Sequence, residues 1–197
     1  MTEIDTLALN PNPLVRVLGK QPHEFTRADI IRFVAEQGIP MLNLRYLGGD
    51  GRLKMLNFAI QSADHLDKIL TMGERVDGSS LFDFVDADSS DLYVVPQLRT
   101  AFLNPFSELP TLDIMCGFYD VEGNPLASSP QQILRKAQQA LEDETGCRLE
   151  ALGELEYYLF SPAEDLFPVE PQRGYHEAGP FSKWEEVRVD SLAHLTR

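Results

Sequence analysis

Two glutamates near the C-terminal end of the chain are the residues whose type and spacing could do chemistry. Glu154 and Glu156 are separated by one leucine and flanked by aliphatic and aromatic residues. Side chains of a β-strand alternate between its two faces, so both carboxylates would leave one face roughly 7 Å apart. Carboxylate oxygens are the ligands that Mg²⁺ and Mn²⁺ prefer, and such ions bridge protein carboxylates to nucleotide phosphates. The spacing of the pair suits two neighbouring divalent cations.

The element that must position this pair is a strand predicted over residues 149–160. Its apolar neighbours predict that the strand is mostly buried, where two like charges are costly unless a cation neutralises them. Taken without its context, an E-x-E pair on a strand is also typical of a face that simply meets water. Both interpretations stay open from the pair itself.

Helices are predicted from their capping residues. Three predicted helices each begin after a Ser or Thr whose side chain can accept a hydrogen bond from a free N–H group of the first turn. Two of these helices end at glycine. A fourth helix is predicted to begin at Asp190 or Ser191. The three capped helices run from Thr26 to Gly38, from Ser62 to about Met72, and from Ser129 to Gly146.

Four further apolar runs predict strands. The first two flank a glycine-rich turn at 47–52 and read as a hairpin. Helices and strands that mix without strict βαβ alternation predict an α+β fold with the helices on one face of a sheet. The runs are Met41 to Tyr46, Leu53 to Ile60, Leu92 to Leu98 and Leu112 to Tyr119.

Composition excludes several classes of protein. The 197 residues are 43% hydrophobic and 24% charged, as in soluble globular proteins, and the net charge of -14 disfavours nucleic acid and anionic lipid as partners. No apolar run approaches the roughly 20 residues of a membrane span, and the N-terminus lacks a signal peptide, which predicts a cytoplasmic protein. Cys116 and Cys147 lack metal-binding spacing and are expected to be buried, reduced thiols.

Three blocks of the sequence together resemble the glutamine synthetase family. The first is D-G-S-S, with Val76 where the family has an aromatic residue before it. The last has the glutamate pair followed by two tyrosines, like the family's metal-binding block. In chain order the blocks are Asp77 to Ser80, then Ser90-Asp91-Leu92 with Val95-Pro96, then Gly153 to Tyr158.

Residues 1–25 contain three prolines, Pro11, Pro13 and Pro22, and little periodicity, which predicts an extended lead-in. The resemblance, which begins near Thr26, implies a β-grasp domain over 26–122 and the start of an α+β catalytic domain over 123–197. It implies that Glu154 helps to hold the cation on the ATP phosphates and that Glu156 holds a second Mg²⁺ or Mn²⁺. The reaction would join glutamate and ammonia at the expense of ATP, in homo-oligomeric rings with sites between subunits. Gly174-Tyr175 resembles a family element near the substrate site, which makes Tyr175 a substrate-binding candidate.

Departures from the family pattern are as informative. After Arg45-Tyr46 the family has an aspartate that binds and deprotonates ammonium; here Gly48 stands there, and Asp50, two residues later, is the candidate for that role. The family's remaining metal and substrate ligands would lie beyond Arg197, so the chain alone is expected not to catalyse. A γ-glutamyl ligase for another amine and a non-catalytic β-grasp binding or regulatory module are the alternatives.

Overall fold

The computed structural model describes residues 6–162, 175–176, 179 and 181–196. The chain divides into two units, residues 1–149 and residues 150–197. The helices of the described residues are Pro13–Leu18 (α1), Arg27–Gln37 (α2), Ala63–Met72 (α3), Pro130–Thr145 (α4) and Glu185–Leu195 (α5). The strands are Met41–Leu47 (β1), Leu53–Ala59 (β2), Glu74–Asp77 (β3), Asp91–Pro96 (β4), Phe102–Leu103 (β5) and Thr111–Tyr119 (β6).

All six strands form one mixed sheet in the first unit. Its order is β2-β1-β6-β4-β3, and β5 pairs with the first part of β6. β1 and β6 run parallel, with Leu42 opposite Leu112 and Leu44 opposite Ile114, whereas the other neighbours are antiparallel. Helices and strands that are combined in this way make the fold α+β, which confirms the predicted class.

The hydrophobic core lies on one face of this sheet. Leu42 and Leu44 of β1 and Leu112 and Ile114 of β6 are fully buried, and they share one core cluster with Phe33 of α2. Each such side chain contributes about 1.5–3 kcal/mol through burial. The intervening residues of the same strands point to the other face, where polar side chains gather.

The capping residues set the helix bounds as predicted. The Thr26 hydroxyl accepts from the Asp29 amide at 3.2 Å, the Asp29 carboxylate accepts from the Thr26 amide at 3.0 Å, and Gly38 closes α2 with φ 63°. The Ser62 hydroxyl accepts from the His65 amide at the start of α3, and the Ser129 hydroxyl accepts from the Gln132 amide at the start of α4. These three predicted helices are confirmed. The structure also confirms the predicted hairpin of β1 and β2 and the predicted strands β4 and β6.

The predicted lead-in is not extended throughout. Asn12 accepts from the Leu14 amide at 3.0 Å and starts α1, with proline at its first position. Leu14 and Val15 are fully buried, with 0% exposure, and belong to the hydrophobic core of this unit. The three prolines suggested irregular chain, yet Pro13 stands where a helix tolerates proline best.

The predicted strand at 149–160 is wrong for this structure. These residues have no regular secondary structure, and Leu155 and Tyr158 are 88% and 86% exposed. A strand must exchange backbone hydrogen bonds with a neighbouring strand, and the six strands of the described residues pair only with one another. The alternation and the apolar content of this segment predicted a strand, but none of the described strands pairs with it.

Two smaller expectations also fail. α5 begins at Glu185 rather than at Asp190 or Ser191. Its first turn contains Glu185 and Glu186, whose negative charges are favourable at a helix N-terminus. The start was not recognised because the N-cap residue, Trp184, has no capping side chain. Cys116 is buried as expected, but Cys147 is exposed just after α4; both are free thiols. No helix of the described residues has the length and apolar character needed to cross a membrane.

Candidate functional site

Glu154 and Glu156 lie in the irregular segment of the second unit. Both side chains are exposed, and so are those of their neighbours Leu155, Tyr157 and Tyr158. The burial expected to force the carboxylates to share a cation is therefore absent from this segment. What remains is a pair of accessible oxygen donors two residues apart, and their role as metal ligands stays a prediction.

No larger cluster of metal ligands surrounds them in the part of the chain that the structure describes. Across residues 6–162 and the described positions after them, no three His, Cys, Asp or Glu side chains come close enough to hold one ion. Tyr175 is 86% exposed and stacks on His176 with 4.0 Å between ring centroids. Gly174, the other half of that predicted element, lies outside the described residues.

Asp50 occupies the turn between β1 and β2 in the first unit. Its Oδ1 accepts from the Arg52 amide at 3.1 Å, and its Oδ2 lies 3.1 Å from the Lys54 ammonium group. The Arg52 amide, and after it Lys54, lower the pKa of the Asp50 carboxyl below its ordinary value. Asp50 is therefore an ionised carboxylate that already has a cationic partner.

The turn that carries Asp50 is fixed by backbone hydrogen bonds. The Gly48 amide donates to the Arg52 carbonyl at 3.1 Å, and the Gly49 amide donates to the Leu81 carbonyl at 2.9 Å. A Cβ on Gly49 would stand 2.9 Å from that carbonyl oxygen, so only glycine allows the approach. The Leu81 bond ties the Asp50 turn to the loop that follows the D-G-S-S block.

The D-G-S-S block forms a compact turn after β3. The Asp77 carboxylate accepts from the Ser79 amide at 3.1 Å, from the Ser79 hydroxyl at 2.7 Å and from the Ser80 hydroxyl at 2.6 Å. These hydrogen bonds, first that of Ser80, lower the pKa of Asp77 to about 2. A Cβ on Gly78 would lie 2.6 Å from Leu92 Cδ1 and 2.9 Å from the Ser90 carbonyl, which explains the glycine.

A buried polar network on the face opposite the core was missed from the sequence. Asp113 of β6 has no exposed surface and accepts from Asn43 at 2.7 Å and from Arg45, both on β1. Asn57 of β2 donates to Asn43 at 2.6 Å, and Asn104 donates to Asp113 at 3.4 Å. The alternation of Leu with Asn43 and Arg45 was the available signal, but their meeting with Asp113 depends on the parallel pairing of strands 70 residues apart.

A comparison with known families matches this first unit. Residues 38–121 match the family described as "Glutamine synthetase, beta-Grasp domain". Curated glutamine synthetases of Staphylococcus aureus are 26% identical over 176 residues, which is 87% of this chain and 39% of the relative. That of Staphylococcus epidermidis gives the same identity and coverage. The chain thus spans about 39% of the length of these curated relatives.

Solved structures share the fold at lower sequence identity. A cryo-EM structure of Plasmodium falciparum glutamine synthetase has a TM-score of 0.51 and 19% identity over 61% of this chain and 23% of its own. An apo GmaS structure has a TM-score of 0.52 and 14% identity over 59% of this chain and 27% of its own. The resemblance to the glutamine synthetase family is thus confirmed by the match of residues 38–121 to the model of its β-grasp domain.

Proposed function

We propose that this chain is the N-terminal part of an ATP-dependent glutamate–ammonia ligase of the glutamine synthetase type. The observation that carries the proposal is the match of residues 38–121 to the glutamine synthetase β-grasp domain, in a chain whose curated relatives are glutamine synthetases along 87% of its length. The D-G-S-S turn and the Asp50 turn, which are joined through Gly49 and Leu81, belong to that matched segment.

In this proposal Glu154 and Glu156 supply two oxygen ligands for Mg²⁺ or Mn²⁺. Both carboxylates are exposed, so a hard cation can reach their oxygen atoms. Mg²⁺ takes about six oxygen ligands, and the pair provides only some of them. Bound there, the metal would neutralise charge on the phosphoryl group of ATP as it is transferred.

The chain by itself should not catalyse, because two carboxylates do not complete such a site. Within the ligase it would contribute the glutamate pair and, from the β-grasp domain, part of a site shared between subunits of a homo-oligomer. Glutamate, ammonia and ATP would be the substrates of the whole enzyme, and Tyr175 a substrate contact. Asp50 would be the group that binds ammonium.

The test measures glutamate- and ammonium-dependent formation of ADP by two proteins, the 197-residue chain and the product of the complete gene. We expect no turnover from the chain, turnover from the complete product, and loss of that turnover in its double variant Glu154→Gln with Glu156→Gln. If the complete product forms no ADP, the chain is a non-catalytic module. If the double variant keeps full activity, the metal assignment is wrong.

A ligase for another amine is a second candidate, and position 48 favours it. The resemblance places the ammonium-binding aspartate where this chain has Gly48, so the amine site is built differently here. The same assay with methylamine, ethylamine and larger primary amines in place of ammonia separates the two. A preference for an amine over ammonia by tenfold or more in kcat/KM, about 1.4 kcal/mol, would move the assignment to the second candidate.

A further inference from the structure

A groove of about 710 Å³ lies in the first unit, between the loop that follows the D-G-S-S turn and the turn that follows β6. Volumes of roughly 300–1,000 Å³ are typical of sites that bind a ligand. The apolar part of the groove includes the side chains of Phe84, Val121 and Leu126. Its charged lining residues are all acidic, with no Lys, Arg or His among them, which makes it an acidic groove. These residues are Asp86, Asp88, Asp91, Asp120 and Glu122.

The apolar part of the acidic groove is both fixed and accessible. The Phe84 ring stacks on the Phe82 ring with 5.1 Å between centroids and 28° between planes, and Phe82 is 1% exposed within the core. Phe84 itself is 56% exposed, and Val121 is 61% exposed. The face of an aromatic ring attracts cationic groups as well as apolar side chains. A ligand can therefore cover this ring without first having to order it.

Most of the negative charge of the acidic groove is unpaired. Asp91 Oδ2 lies 3.1 Å from Arg75 Nη1, and Asp120 Oδ1 accepts from the Asn124 amide at 2.7 Å. The other three acidic side chains are exposed and have neither a hydrogen-bond partner nor an ion-pair partner among the residues that the structure describes. Like charges gathered along one groove attract a ligand of opposite sign.

The placement of these carboxylates suits an extended cation better than a metal ion. No three His, Cys, Asp or Glu side chains of the described ranges come close enough to hold one ion. The charges are instead spread over two loops, so a ligand must carry several separated cationic groups to meet more than one of them. A peptide with several Lys or Arg residues has such groups on long side chains, and it can also supply an apolar side chain for the exposed ring.

We propose that the acidic groove is the docking site of a basic, extended peptide segment of another protein. Lys or Arg side chains of the segment pair with Asp86, Asp88 and Glu122, and an apolar side chain between them packs on Phe84. The opposite charges steer the segment to the groove, and the aromatic contact fixes its register. This proposal goes beyond the ligase assignment and does not rest on it.

The test titrates the 197-residue chain with the peptide acetyl-Lys-Arg-Leu-Arg-Lys-amide and measures the affinity by isothermal titration calorimetry. The net charge of -14 attracts any polycation, so local binding has to be separated from the general field of the chain. The groove variant combines Asp86→Asn, Asp88→Asn and Glu122→Gln. It leaves the two acidic residues that have partners unchanged, so the fold of both loops is kept.

A matched control variant removes the same amount of charge elsewhere. It combines Glu142→Gln, Asp143→Asn and Glu144→Gln at the exposed C-terminal end of α4. We expect the groove variant to bind the peptide about tenfold more weakly than the parent, because three exposed ion pairs are lost, and the control to stay within about twofold. In ¹⁵N NMR spectra of the parent, the peptide should shift the amides of residues 84–92 and 120–128 first.

The apolar contact is tested with a second peptide in which serine replaces the leucine. We expect this peptide to bind the parent about fivefold more weakly than the first, since the apolar area on the ring is no longer covered. Phe84→Ala should bind the two peptides equally, because each change removes the same contact. The comparison of the two peptides on the parent needs no protein variant, so it stands even if Phe84→Ala fails to fold.

Four outcomes would overturn the proposal. They are a peptide that does not bind the parent, equal losses of affinity in the groove variant and the control, equal affinities of the two peptides for the parent, and tighter binding of spermidine than of the first peptide. Equal losses would assign the binding to net charge alone, and tighter binding of spermidine would make the groove a polyamine site. No titration uses nucleotide or metal, so these outcomes are separate from those of the ligase assay.

Discussion

Strand β6 and the segment around Glu154 have similar apolar content, yet they are packed in opposite ways. In β6 the side chains of Leu112 and Ile114 are 0% exposed, because β1 pairs with the strand on one side and β4 and β5 pair with it on the other. In the segment at 150–160, Leu152 is 93% exposed and Phe160 is 90% exposed. An alternating apolar pattern therefore becomes a buried strand only where neighbouring strands take up its backbone hydrogen bonds.

The largest effect on stability is expected when one phenylalanine is replaced in each of the two kinds of region, the packed first unit and the exposed segment at 150–160. Phe33→Ala empties a fully buried position of α2 and should lower the free energy of unfolding by about 3–5 kcal/mol. Phe160→Ala is the matched control and should change it by less than about 0.5 kcal/mol. Urea denaturation followed by circular dichroism measures both. Comparable losses from the two variants would show that the segment at 150–160 is packed after all.

A smaller effect is expected from the buried polar network on the other face of the sheet. Asp113→Asn removes the charge that Arg45 and Asn43 donate to, and should cost about 2 kcal/mol, since hydrogen bonds to a buried charge are worth more than neutral ones. Asp91→Asn is the matched control, because Asp91 pairs with Arg75 on an exposed part of the sheet. The control should stay within about 0.5 kcal/mol of the parent. A neutral Asp113→Asn in the same urea titration would mean that the network does not hold β1 to β6.

The N-terminal cap of α2 should make the first unit sensitive to acid. Lys20 and then Thr26 lower the pKa of Asp29 from 3.8 to about 2. A depressed carboxyl pKa stabilises the fold above pH 3.8, and that contribution is lost as the pH falls through about 2. Asp29→Asn should cost about 1 kcal/mol at neutral pH and flatten the loss of stability below pH 3.8.

Thermal unfolding between pH 2 and pH 6 measures this contribution. Lys20→Met keeps the carboxylate but removes its ammonium partner, so it should raise the pKa of Asp29 and give a dependence on pH between those of the parent and Asp29→Asn. An acid dependence in Asp29→Asn that is as steep as in the parent would assign the effect to other carboxylates.

The smallest effect on stability is expected at the glutamate pair itself. Glu154→Gln and Glu156→Gln, made singly and together, remove exposed charges from a segment without secondary structure. Without metal, the free energy of unfolding should change by no more than about 0.5 kcal/mol, as for other surface substitutions. A larger loss in the urea titration would reveal contacts of these carboxylates and would weaken the comparison of the two regions.

Local signals were enough to predict much of the first unit. The bounds of α2 follow from Thr26 and Gly38, and those of α4 follow from Ser129 and Gly146, because a cap acts within one turn of the helix. α1 was missed because a six-residue helix that begins at Pro13 and closely follows Pro11 resembles irregular chain. β3 was missed because four residues at the edge of a sheet carry too little alternation to be recognised.

What the sequence could not supply was pairing over long distances. The parallel register of β1 with β6 brings Asn43 and Arg45 to Asp113, and no local pattern specifies that meeting. The segment of the glutamate pair shows the same limit. Its alternating pattern predicted a strand, but the sequence did not show whether a neighbouring strand would pair with it. The residues of the Asp50 turn are recognisable from the sequence, but the packing of Lys54 over Gly48 depends on how the turn folds.

The most direct test of the central claim locates Mn²⁺ on the chain. Paramagnetic Mn²⁺ broadens the NMR signals of nearby amides, so substoichiometric metal added to the ¹⁵N-labelled chain should first broaden residues 153–157. The double variant Glu154→Gln with Glu156→Gln should lose that broadening. The exposed turn after β6, where the Asp120 carboxylate accepts from the Asn124 amide, should respond equally in both proteins. Broadening at 153–157 that survives in the double variant, or that is weaker than elsewhere in the parent, would contradict the assignment of Glu154 and Glu156 as metal ligands.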